Sequence, residues 1–89
     1  MSWFVVIALC GQLEGMGKPY CAPYSTFKQI EYTSYKACSL VAENERLNLE
    51  NGFKARAAEQ GKKVEKMMAF SECLAAKEAI KLLESNNES

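Results

Sequence analysis

The chain contains no histidine, only two prolines and one tryptophan, and its eleven basic and eleven acidic residues cancel to a formal net charge of zero over 89 residues. Each shortage excludes something. Without imidazole no side chain has an ordinary pKa suited to general base work near neutral pH, and zinc sites that use histidine are ruled out. Without a basic excess no field draws in nucleic acid. The four cysteines, at 10, 21, 38 and 73, include no Cys-x-x-Cys pair. Structural zinc sites take their thiolates in close pairs, so this spacing argues against a zinc ribbon, and a thioredoxin-type motif is missing as well. No apolar run approaches the roughly twenty residues that a membrane-spanning helix needs.

What is present has to work at small size. A chain this short forms one domain and buries a smaller share of its surface than a large one, so reinforcement by disulfides, a metal or a partner is expected. An even number of widely spaced cysteines reads as two disulfides formed in an oxidising setting, with four reduced buried thiols in a cytosolic protein as the alternative. Residues 3–9, Trp-Phe-Val-Val-Ile-Ala-Leu, look at first like the core of a signal peptide. They lack a basic segment before them, and no Ala-x-Ala site follows. An unbroken β-branched and aromatic run of this length suits a strand covered on both faces.

Gly11, Gly15, Gly17, Pro19 and Pro23 crowd the next segment, which therefore reads as a long loop over residues 11–23. Cys10 and Cys21 sit at its two ends, and a bridge between them would constrain the unfolded chain by about 3 kcal/mol on the loop-entropy model. Gly11-x-x-x-Gly15-x-Gly17-Lys18 resembles a phosphate-binding loop only superficially, because it lacks Gly-Lys-[Ser/Thr] and Pro19 blocks a following helix. Residues 24–32 are expected to return as a strand beside 3–9, although Thr26-x-x-Gln29 could also be read as a capping box.

Residues 32–38, Tyr-Thr-Ser-Tyr-Lys-Ala-Cys, mark the change from extended to helical chain. Thr33 is the expected N-cap, with the helix starting at Ser34. Tyr35, Cys38 and Val41/Ala42 recur at helical spacing and turn the Cys38 thiol inward. The helix runs on through Leu40, Leu47 and Leu49, with Glu43, Glu45, Arg46 and Glu50 on the wet side, and Asn51-Gly52 reads as a break before a second helical piece over 53–60. Gly61-Lys62-Lys63 is a turn. Residues 64–85 could form one continuous helix, but a lone pair of strands is marginal, so a third strand over about 66–73 and a helix over 75–84 are expected. Residues 1–84 then make a single small domain and 85–89 a disordered tail.

Three islands of this layout resemble a family: Met1-x-Trp3-x-Val5-Val6-Ile7, then Tyr32-x-Ser34-x-x-x-Cys38-x-x-x-Ala42, then Ala69-Phe70-x-x-Cys73-Leu74. They are similar to small uncharacterised bacteriophage and marine viral proteins with an opening W-x-x-V-I strand, an F-x-S-x-x-x-C helix start and a closing F-x-C-L strand. The resemblance implies a ββαβ unit in which Cys38 pairs with Cys73, which leaves Cys10 with Cys21. It also implies a viral origin. The fold class expected is α+β: a small antiparallel sheet packed on a main helix, with a C-terminal helix and disulfide staples.

No pattern of catalytic, cofactor-binding or metal-ligating residues emerges. The glutamates are interleaved with lysine along polar faces, where no spacing supplies the pocket and polarising neighbour that a catalytic acid pair needs. Met67 and Met68 read as core fillers. Trp3, Tyr20, Tyr24, Phe27 and Tyr35 are the expected interface residues, since half-exposed aromatics favour contact surfaces. The function expected is that of a non-enzymatic structural or interaction protein, an accessory or decoration (cement) subunit of a viral particle, found in the virion or extracellularly. Its partners would be other protein subunits, of a capsid or a homo-oligomer, with no nucleic acid, no membrane span and no small-molecule substrate. A small secreted or periplasmic effector, an inhibitor or toxin stabilised by disulfides, is the alternative.

Overall fold

A computed structural model of the chain describes residues 1–86. The elements run β1 (Trp3–Leu13), β2 (Tyr20–Cys21), β3 (Ser25–Thr26), α1 (Tyr35–Glu59), β4 (Val64–Ala75) and α2 (Ala76–Ser85). This is the expected α+β class, with two helices on an antiparallel sheet.

β1 is the strand on which every other strand depends. β4 pairs with it antiparallel along its length, from Trp3 opposite Ala75 to Gln12 opposite Lys66. β2 and β3 follow one another along its other side, with Cys10 opposite Cys21 and Val6 opposite Thr26. The strand runs four residues further than its apolar run suggests, so Gly11 lies in the sheet rather than in the expected loop. There the ring of Phe53 from α1 lies where a Cβ would stand, which is why a residue without one fits.

The return segment keeps its expected place beside β1 but not its expected continuity. The Phe27 N–H donates to the Val5 carbonyl at 2.8 Å, and Trp3 and Tyr32 exchange two bonds of 2.8 Å. Between these points Lys28 and Gln29 have φ of 55° and 54°, a left-handed pair that throws residues 28–31 outward as a bulge. Residues 24–32 therefore contribute only β3 and a lone bridge at Tyr32.

The cap of α1 is Ser34, not Thr33: the Ser34 hydroxyl accepts from the Ala37 N–H at 3.3 Å. Ser34→Ala should cost about 1 kcal/mol in a thermal or denaturant melt while Thr33→Ala costs a few tenths, since only the former leaves a first-turn donor unpaired. The helix does not break at Asn51-Gly52 but continues for 25 residues to Glu59. A glycine inside a helix costs about 1 kcal/mol relative to alanine, and packing of the neighbouring Phe53 against Gly11 of β1 offsets it. β4 is two residues longer at each end than the expected 66–73, and α2 starts one residue late. α2 also includes Ser85, so the expected tail begins too early; the rest of that tail from 87 onward lies outside the described residues.

Both faces of β1 are closed at Val5 and Val6. Val5, 1% exposed, packs with Cys38 and Ala42 of α1, with Trp3, Ile7, Phe27, Tyr32, Val41 and Cys73 around them. Val6 points the other way and is 0% exposed. α2 covers one end of that second face, where Phe4 and Thr26 line a hollow with Ala76, Ala79, Ile80 and Leu83. The Asn86 side chain fixes the end of α2, its Nδ2 donating to the Tyr24 carbonyl at 2.8 Å and its Oδ1 accepting from the Tyr24 N–H at 3.1 Å. Two disulfides, Cys10–Cys21 and Cys38–Cys73, complete the structure.

Candidate interaction surface

Alternation along the strands decides which side chains meet α1 and which meet α2. The odd residues of β1 face α1. The even ones share a face with Lys66, Met68, Phe70, Glu72 and Leu74 of β4, their cross-strand partners. α2 shelters only the Phe4 and Val6 end of that even face. Beyond it lie Ala8, the Cys10–Cys21 bridge, Phe70 and Met68.

This uncovered area is apolar with a charged border. Tyr24 meets Phe70 edge-on, with ring centres 5.4 Å apart. Next to them a shallow hollow of about 200 Å³ is lined by Pro19, both bridged cysteines, Lys66, Met67 and Met68. Met68 is 71% exposed, so it is not the core filler expected, whereas Met67 is half-buried under α1. Glu72 and Lys66 stand exposed on the same face.

The five expected interface residues do not form one patch. Trp3 is half-buried and packs at a tilt against Tyr35, with ring centres 4.9 Å apart, while Phe27 packs at the edge of the core beside α1. Tyr20 is exposed at the opposite end of the sheet, over a hollow of about 310 Å³ that Leu9, Leu13, Ala22 and Phe53 also line. Tyr24 alone belongs to the uncovered part of the even face. Residues that the sequence placed with the buried side of α1 are open instead: Leu40 is 60% and Leu47 53% exposed, seven residues apart on the solvent side of the helix. Neither Met68 nor these leucines could be assigned to the outside from composition, because an isolated apolar residue carries no mark of which face it will take.

The polar groups offer little chemistry. Ser71, the buried polar side chain of the described residues, donates its hydroxyl to the Ala42 carbonyl at 2.6 Å, which ties β4 to α1. The Ser2 hydroxyl donates to Glu31 Oε1 at 2.5 Å, an exposed contact with no further group behind the carboxylate to form a relay. Among the described residues no cluster of three cysteines and carboxylates could hold a metal ion, and no helix is long and apolar enough to cross a membrane.

No family model, curated protein or solved structure matches this chain. Its function must therefore be read from its own surface. That surface combines two internal disulfides, which form and persist in oxidising compartments, with a partly uncovered apolar sheet face.

Proposed function

We propose that the protein is a non-enzymatic structural or interaction subunit that works by being held against other copies of itself or a larger assembly. The observation that carries this reading is the even face of the sheet. α2 closes it over Phe4 and Val6 and then leaves Met68 exposed, beside a half-buried Phe70 and the Cys10–Cys21 bridge, in a domain too small to carry such a patch without use. The resemblance to small phage and marine viral proteins supplies the setting, in which the chain is an accessory or decoration (cement) subunit of a viral particle. Two disulfides suit a subunit that must persist outside a cell.

Particles banded on a density gradient from a culture producing this chain should contain its tryptic peptides at a fixed ratio to the major shell protein. If the chain instead stays wholly in the soluble fraction as a monomer, the particle reading fails and a secreted or periplasmic effector takes its place.

A further inference from the structure

Among the described residues β4 pairs with β1 alone, and its other edge is open along its length. Which residues present that edge follows from the hydrogen bonds on the far side of β1. Trp3, Val5 and Leu9 bond to the Tyr32, Phe27 and Ala22 positions, so the odd residues of β1 direct their backbone groups away from β4. The even residues then bond to β4, through Lys66, Met68, Phe70, Glu72 and Leu74. Met67, Ala69, Ser71 and Cys73 are left with N–H and C=O groups pointing outward, and among the described residues no backbone group meets them. An open edge of this length is a template for another strand unless something blunts it. No proline or bulge interrupts this one between 66 and 75; the sole irregularity lies opposite Gln12/Leu13, at its start.

We infer that the edge is taken by the β4 of a second copy, antiparallel, on a two-fold axis at Ala69. The side chains select this partner and this register. Ala69 is an outward-bonding residue, so the pair Ala69 to Ala69 exchanges both backbone bonds, as do Met67 with Ser71 and Ser71 with Met67 of the second copy. On the even face the same register sets Lys66 opposite Glu72 of the second copy, twice, and Met68 opposite Phe70, twice. The two exposed methionines and two phenylalanines then close into one apolar cluster bounded at each end by an ion pair, which covers the area α2 leaves open. Moving the axis by one residue, to Met68 or Phe70, keeps the outward backbone bonds but sets each Lys66 opposite Phe70 or Leu74, and moving it by two, to Met67 or Ser71, also separates each lysine from its glutamate. On the other face α1 lies over β4 and β1 together, so the two copies of α1 run antiparallel, side by side, above a continuous sheet.

This inference deepens the assembly reading by naming the partner, yet it can fail separately. The test is the mass of the native protein by sedimentation over a range of concentrations, for wild type, Lys66→Glu, Glu72→Lys and an equimolar mixture of the two variants. Wild type should reach twice the chain mass. Each single variant sets like charges opposite one another twice and should self-associate about tenfold to hundredfold more weakly. The mixture should recover the dimer, because both cross-pairs become attractive again. Ala69→Pro removes an outward N–H without touching the bonds to β1, so it should be a folded monomer. A wild type that stays monomeric at high concentration, or single variants that dimerise like wild type, would overturn the proposal; a monomer still found on particles would overturn it and leave the assembly reading intact.

Discussion

Replacing Cys38 and Cys73 together by alanine should lower the free energy of unfolding by about 3–4 kcal/mol on the loop-entropy model. The bridge spans 35 residues in sequence and joins α1 to β4 beneath the core, where Cys38 is 0% exposed against Val5 and Ala42. Removing it frees a long loop in the unfolded chain and thins the packing at the point where helix and sheet touch. The Cys10–Cys21 bridge spans only 11 residues, within the sheet, so the same double substitution there should cost about 3 kcal/mol or less. Denaturant melts of the two double variants, each compared with wild type in the absence of reductant, give both numbers. If the Cys10–Cys21 variant proved the less stable, the ordering by loop length would be wrong.

The second large effect concerns neighbours on opposite faces. Val5→Asp and Val6→Asp should each destabilise by about 3–5 kcal/mol or more, since either change leaves a carboxylate buried without a partner. In a sheet with one wet face only one of these substitutions would be severe. Here Val5 lies under α1 at 1% exposed and Val6 faces α2 at 0%, so both should abolish the cooperative unfolding transition. Leu47→Asp, on the outer side of α1 at 53% exposed, is the control and should change stability by no more than about 0.5 kcal/mol. A well-folded Val6→Asp variant would mean that α2 does not seal its face of the sheet.

How much of this was legible in the sequence follows from which interactions are local. Residues 3–9 announce a strand closed on both sides because seven apolar residues in a row leave no wet face; the structure closes both faces at Val5 and Val6 but leaves the even face beyond Val6 outside the cover of α2. The turn into α1 was legible to within one residue, with Ser34 rather than Thr33 as cap, because capping depends on a single hydroxyl and the backbone beside it. The cysteine pairs came from the resemblance, and the structure has both. Asn51-Gly52 misled because local propensity favours a stop there, while the packing of Phe53 onto Gly11 of β1, far away in sequence, holds the helix together. Residues 24–32 misled because the left-handed pair at Lys28 and Gln29 falls on residue types that do not signal it. The candidate surface was hardest to see. Tyr24 was singled out and belongs to it, but Met68, Phe70, Lys66 and Glu72 gather only through the register of β4 on β1, and register is a tertiary property.

The position of β1 in the sheet also sets the order in which the molecule can be made. Its neighbours on one side arrive early, since Cys21 lies 11 residues from Cys10, but its principal partner is β4, with Trp3 opposite Ala75. During synthesis the most apolar segment therefore waits, half paired, until residues 64–75 have emerged. Closing so long a loop makes folding slow relative to a helical protein of equal size. The bridge between Cys10 and Cys21 can form in that interval and hold the waiting strand against its first neighbours. Cells that make this chain in quantity would have to shield residues 3–9 from one another until β4 arrives.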